Sequence, residues 1–271
     1  MLCYHGVRAG AEQLPFEPLH VHVETFERHC RLIRDCCDPI SGDDLIAALD
    51  TGAPLPPRAV LVTFDDGYHS VLERAVPILN RYRIPAIVLI CSDPIARTRL
   101  FWYDAVVRSE GEDEVDRLKA VPFPEWQQAL TRFDIPVAGE PYAPMSVADV
   151  RALAAKDGIE IGGHSLQHPI LSHASADEQH RQIADDKTTI EAWTGRAVRF
   201  FSYPNGRPRV DYTRGTCDIV ERCGYRAAFT TESAYLTASN DAYELPRFVM
   251  LDSISGPALA HRLAFGWVKA G

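Results

Sequence analysis

The sequence predicts an α/β fold built on a parallel sheet, and three observations carry that prediction. A short apolar, β-branched run at 59–62, an amphipathic stretch at 71–82 and a second apolar run at 84–91 form a strand–helix–strand unit, the connection that joins parallel strands. Six or seven such units follow one another along the chain. The polar residues that stand out, Asp65, Asp66, His164 and His168, all come at the C-terminal ends of expected strands, the edge where parallel α/β folds build their sites. A chain of 271 residues, 46% apolar and 24% charged, suits one domain spanning 1–271.

The elements are expected in this order. Residues 1–7 read as a first strand stopped by Gly6, and 25–37 as a helix with apolar spacing at Phe26, Cys30, Leu32 and Ile33, Thr25 being a candidate N-cap. A second short helix covers 41–49, and a Pro-rich turn at Pro54, Pro56 and Pro57 leads into the strand at 59–62. Ser70 can cap the helix at 71–82, where Leu72, Ala75, Val76 and Leu79 share a face and Pro77 should impose a kink. Between 92 and 144 the periodicity blurs, which predicts a lid-like insertion around Phe101, Trp102 and Tyr103. These three aromatics read as core more readily than as a ligand-stacking platform, and the acidic run 110–116 as a solvated face. A helix capped by Ser146 precedes a strand at 159–162. A polar helix over 176–193, strands at 198–203, 225–229 and 243–250, a helix tail at 218–223 and a C-terminal helix complete the pattern. There is no internal repeat.

A formal charge of −9 argues against nucleic-acid or anionic-membrane partners, which need a basic face. Seven scattered cysteines without a CxxC pair read as buried free thiols of a reducing compartment. With no basic leader and no long apolar segment, the chain is expected to be cytoplasmic, without a membrane span.

The chemistry concentrates in two stretches. Thr63-Phe64-Asp65-Asp66-Gly67-Tyr68 puts two adjacent carboxylates at the end of a buried strand, a costly placement unless a cation sits beside them. Ile161-Gly162-Gly163-His164-Ser165-Leu166-Gln167-His168-Pro169 runs another strand into two histidines four apart. Taken singly, each has a plain reading: Asp-Gly is common turn chemistry, and a histidine pair can cap a helix or lie on the surface. Taken together at two strand ends, they describe a metal site of a hydrolase.

These two stretches, in this order and with the Ser and Pro inside the second, resemble the first two motifs of the polysaccharide deacetylases with the NodB-homology domain, carbohydrate esterase family 4. The likeness runs from about residue 59 to 249. The Tyr4-His5-x-Val7 start and Phe101-Trp102-Tyr103-Asp104 resemble the branch associated with exopolysaccharide and surface polysaccharide. The resemblance implies a distorted (β/α)7 barrel that removes N-acetyl groups from a sugar or glycan precursor. It implies Asp66, His164 and His168 as ligands of one divalent metal, zinc by preference, with cobalt, nickel, iron or manganese compatible. Asp65 would be the general base. The backbone N–H of Asn205, in the Tyr203-Pro204-Asn205-Gly206 turn, would hold the oxyanion, with Tyr203, Pro204 and Tyr68 as substrate contacts.

Two departures from the family pattern call for substitutes. Ser202 stands where the third motif usually has an Arg, and Arg247 in Leu245-Pro246-Arg247 is the expected replacement beside Asp65. No Leu-x-Leu-His follows, so His5, at the end of the first strand, is the expected acid for the leaving amine or a substrate contact. Two other readings remain open at this point: a hydrolase of a small linear or cyclic amide, and a non-catalytic sugar-binding relative. The sugar and the oligomeric state are not specified by the sequence.

Overall fold

Short apolar runs bounded by Gly, Pro and polar residues give short strands. The computed structural model, which describes residues 1–10 and 14–269, assembles seven of them into one sheet. They are β1 (Leu2–Tyr4), β2 (Val62–Phe64), β3 (Ala86–Ile90), β4 (Ile159–Gly163), β5 (Phe200–Ser202), β6 (Ala227–Phe229) and β7 (Phe248–Val249). Their order is β6-β5-β4-β3-β2-β1-β7 and every pairing is parallel. The sheet curls into a half-barrel, and the segment 245–249 spans its opening. On one side Leu245 exchanges backbone hydrogen bonds with Ala228 and Thr230, both at 2.9 Å; on the other, Phe248 N–H donates to Met1 O at 3.0 Å and Met250 N–H to Cys3 O at 2.8 Å. Arg247 is carried on this bridging segment.

Strand periodicity then decides what faces the interior. At the bottom, Leu61, Ile87, Leu89, Phe200, Ala227 and Phe229 pack with Leu45 and Ile46 of a plugging helix. One step further along the same faces stand Cys3, Thr63, Gly162 and Ser202, and beyond them His5, Asp65 and His164. Gly162 is needed there because a Cβ would lie 2.8 Å from Phe200 O and 3.0 Å from Leu89 Cδ2. The alternate residues Val62, Phe64, Val88 and Ile90 face outward into the larger core shared with the helices. A parallel sheet covered on its outer face in this way reads as continuous apolar runs.

The helices are α1 (Val23–Cys36), α2 (Gly42–Thr51), α3 (Val76–Tyr82), α4 (Ser92–Arg97), α5 (Trp102–Glu110), α6 (Glu112–Lys119), α7 (Phe123–Leu130), α8 (Val147–Ala154), α9 (Ala176–Thr194), α10 (Arg214–Arg222) and α11 (Gly256–Lys269). Ser41 with Asp44 and Ser146 with Asp149 form capping boxes at α2 and α8, each satisfying two otherwise unpaired backbone donors.

Several expectations are corrected. The first strand breaks at His5, leaving Gly6–Arg8 to pair with His20–His22. α1 is capped by His22, whose side chain accepts from Glu24 N–H, so Thr25 lies inside the helix. Ser70 is no cap either; its Oγ accepts from Val7 N–H at 3.1 Å. Val71–Ala75 form a π-helical turn, which puts Pro77 in the first turn of α3, where a missing N–H costs nothing. The stretch 92–144, where the periodicity blurs, folds into α4 to α7, and Val106, Val115, Leu118 and Trp126 join the main core. In the acidic run, Glu114 is half-buried and pairs with Arg117 and Arg132. The strand expected at 243–250 shrinks to two residues. Among the cysteines, Cys36 and Cys223 are half-buried and the other five buried, all free. No described helix is long and apolar enough to cross a membrane.

Candidate active site

β2 hands the chain to Asp65 while it still pairs with β1, since Asp65 N–H donates to Tyr4 O at 2.9 Å. Asp66 then takes a left-handed backbone (φ 74) and Gly67 follows at φ 100. A Cβ on Gly67 would lie 2.9 Å from Ile90 Cγ2, so this turn needs glycine for both shape and space. The reversal sends two consecutive carboxylates to different neighbours.

Asp65 meets Arg247. Both guanidinium NH groups donate to its two oxygens at 2.7 Å, and neither residue is exposed beyond 1%. Arg247 is itself fixed by Thr63 Oγ1 at 2.9 Å and Thr230 O at 3.0 Å. Burial pushes the Asp65 carboxyl up, but the charges of Arg247 and His164 outweigh it and hold it at about 2. The Cys3 thiol lies 3.5 Å from Asp65 Oδ2. The guanidinium absent from the third motif is thus present at the expected carboxylate, brought from the bridging segment.

Asp66 meets the histidines. Its Oδ1 is 3.3 Å from His164 Nε2 and 3.6 Å from His168 Nε2, and all three residues are buried. Burial raises the Asp66 carboxyl, yet the His164 hydrogen bond and the charges of His5 and His168 hold it well below the usual range. Burial and the neighbouring His164 push His168 down to about 3, which keeps its imidazole neutral. For His164 burial works downward, but Asp65 and Asp66 more than offset it and raise its pKa. His164 Nδ1 faces Ser202, with the carbonyl at 2.8 Å and the hydroxyl at 2.6 Å, so Nε2 is the atom turned to Asp66. Ser202, noted in the sequence only as a missing Arg, therefore orients a histidine.

The donor set fits a divalent cation. Oxygen and nitrogen ligands at about 2.0–2.1 Å in a tetrahedron lie about 3.4 Å apart, close to the spacings found here. Cys3, His5 and Asp65 also bring donor atoms within 4.8 Å of one another, but both Asp65 oxygens are held by a cationic guanidinium, which disfavours a second cation there.

His5 is half-exposed on this rim, and its Nδ1 is buried without a hydrogen-bond partner among the described residues. Asn205 is half-exposed with φ 56; its carbonyl accepts from Thr231 Oγ1 at 2.6 Å, while Gly206 N–H turns back to Pro204 O at 2.6 Å. Tyr203, Pro204 and Tyr68, the expected substrate contacts, lie inside the rim. All three are buried, the Tyr203 hydroxyl donates to Tyr243 O at 2.9 Å and the Tyr68 hydroxyl to Asp104 at 2.9 Å. Of the Tyr203–Gly206 turn, only Asn205 is accessible.

A cavity of about 330 Å³ lies at the opposite end of the barrel, lined among others by Asp43, Lys156, Glu160 and Arg199. Glu160 and Arg199 already neutralise each other there at 2.8 Å, and among the described residues it gathers no set of metal donors. Chemistry, not cavity volume, locates the site at the C-terminal rim.

Comparison with known proteins identifies the family. Residues 52–228 match the family model described as polysaccharide deacetylase. The YxkH protein of Bacillus subtilis (strain 168) is 22% identical over 259 residues, 95% of this chain and 73% of that one. The poly-beta-1,6-N-acetyl-D-glucosamine N-deacetylase of Escherichia coli (strain K12) is 36% identical over 93 residues, 33% of this chain but 12% of that much longer protein. The fold resembles that of the Streptococcus pyogenes deacetylase PplD, solved with acetate, at a TM-score of 0.71 and 19% identity over 97% of this chain and 96% of that one. A family match over most of the chain, on a curled seven-stranded parallel sheet, is sufficient: the chain belongs to the polysaccharide deacetylase family, carbohydrate N-deacetylases that hydrolyse carbon–nitrogen bonds.

Proposed function

We propose that this chain removes N-acetyl groups from an acetylated sugar or glycan precursor by divalent-metal-dependent hydrolysis, in surface or exopolysaccharide assembly. One observation carries the reading: the bidentate Arg247 clamp on Asp65 beside the Asp66–His164–His168 cluster. The clamp gives the two adjacent carboxylates separate tasks. Asp66, His164 and His168 would hold the cation, which when bound acidifies water and polarises a carbonyl oxygen.

Asp65 supplies a proton acceptor of fixed orientation. Held at about 2, it is ionised throughout the working range but only weakly basic, so its contribution lies in position as much as in basicity. Its carboxylate accepts the proton of the attacking water. The Asn205 N–H faces the developing oxyanion, where an oriented backbone donor is most effective. His5, half-exposed on the rim, donates the proton to the leaving amine. Ser202 keeps His164 in the tautomer that points Nε2 inward.

The test is acetate release from N-acetylated glucosamine oligomers by chelated protein reloaded with zinc, cobalt or nickel. Metal-dependent release supports the reading. Metal binding without release from any acetylated glycan contradicts it and favours a sugar-binding or small-amide function.

A further inference from the structure

The aromatic run 101–103 packs in the core, and its contacts converge on the candidate metal ligands. Trp102 opens α5, and its indole Nε1–H donates to the backbone carbonyl of His168 at 3.0 Å. The ring of Tyr103 meets the His168 imidazole edge-on, with centroids 4.9 Å apart at 61°. Asp104, next in the chain, accepts from the hydroxyl of Tyr68 at 2.9 Å, two residues beyond Asp66. One turn of helix thus grips both loops that carry the candidate ligands.

His168 needs such a grip. Its backbone is left-handed (φ 59), as is that of Ser165 (φ 68), a conformation that bulky residues adopt only when their surroundings impose it. Two hydrogen bonds impose it here: Ser165 Oγ accepts from His168 N–H at 3.1 Å, and Trp102 donates to His168 O.

We propose that Trp102 is a positioning residue for metal binding: its indole hydrogen bond locks His168 in its left-handed conformation and thereby aims the imidazole at the cation shared with Asp66 and His164. The inference rests on the metal reading above. It gives the 92–144 stretch a task in the site without any contact to substrate. Groups that hydrogen-bond a ligand's second ring nitrogen typically change metal affinity by about 10- to 100-fold, and a bond to the ligand's backbone is expected at the low end of that range.

The test compares zinc affinity, by competition with a chromophoric chelator, and the melting temperature of the zinc-free protein for wild type, Trp102→Phe and Trp126→Phe. Trp126 packs edge-on against Trp102 with centroids 5.7 Å apart. Its own Nε1 is buried without a partner among the described residues, so Trp126→Phe removes the same ring chemistry from the same cluster without touching His168. Trp102→Phe is expected to weaken zinc binding by roughly tenfold, and Trp126→Phe to bind as wild type does. Unchanged affinity in Trp102→Phe, or equal weakening in both variants, overturns the proposal. Should Trp102→Phe fail to fold, the wild type tests the same claim through its indole N–H signals, four in number. Coupling is reciprocal, so zinc must slow hydrogen exchange at Trp102 more than at Trp126; equal slowing overturns the proposal. A wild type that binds no zinc overturns the metal reading and this inference with it, whereas a zinc-binding wild type whose affinity ignores Trp102 overturns this inference alone.

Discussion

Asp65 and Asp66 are neighbours in sequence, equally buried, and held in opposite ways. Asp65 extends a strand and is locked by a guanidinium that is itself anchored to Thr63 and Thr230. Asp66 sits on a left-handed turn and faces two imidazoles whose own backbones are strained or tied by side-chain hydrogen bonds. The first half of the site is balanced as it stands, anion against cation. The second half collects donors around a common centre. A single φ reversal between two residues separates a carboxylate held by a guanidinium from one that faces two imidazoles.

The comparison can be broken first at Arg247. Arg247→Met leaves Asp65 buried without its partner, and breaking a buried pair in this way costs about 3–5 kcal/mol. Denaturant unfolding should show that loss, and the double variant with Asp65→Asn should recover most of it while zinc binding persists. Full stability in Arg247→Met would mean that the clamp does not balance the strand-held half. His5→Gln tests the proton donor: kcat for acetate release should fall by about a hundredfold with zinc affinity unchanged, and undiminished turnover would remove His5 from the mechanism. Ser202→Ala sharpens the other half. The Ser202 carbonyl still accepts from His164, so zinc affinity should drop by less than about tenfold; a complete loss would show that the hydroxyl alone orients the ring.

The smallest expected effect lies outside both halves. His29 bonds to the Tyr4 hydroxyl at 3.1 Å and to Ile254 O at 2.8 Å, and burial lowers its pKa below the ordinary 6.5. The folded protein then resists protonation that the unfolded chain accepts. Stability contributed by neutral His29 is present above 6.5 and is lost as pH falls below it. His29→Gln should flatten the stability profile on that acidic side, and an unchanged slope would assign the pH dependence to other groups.

What the sequence disclosed follows from locality. Asp65, Asp66, His164 and His168 lie in two short motifs, each joined to its own strand, and strand alternation alone aims Thr63 and Asp65 to one face. Arg247 is legible only through the family resemblance, which implies a guanidinium beside Asp65 where this chain has Ser202 in the usual place. The contacts that escaped are non-local. Trp102 reaches His168 across 66 residues and Ser202 reaches His164 across 38; neither spacing carries any periodic signal. The helices between 92 and 144 were hidden by their brevity, since α4 to α7 run for six to nine residues and Gly111 and Pro122 cut the pattern before a face could repeat. The hydroxyl partners of Tyr68 and Tyr203 escaped for a similar reason: Asp104 and Tyr243 lie 36 and 40 residues further along the chain.

The central claim is the division of labour between the two carboxylates, and one paired measurement tests it most directly. Zinc stoichiometry and acetate release are determined side by side for Asp65→Asn and Asp66→Ala. The account predicts one zinc per chain and almost no acetate for Asp65→Asn, and neither zinc nor acetate for Asp66→Ala. Zinc lost from Asp65→Asn, or retained by Asp66→Ala, would contradict it.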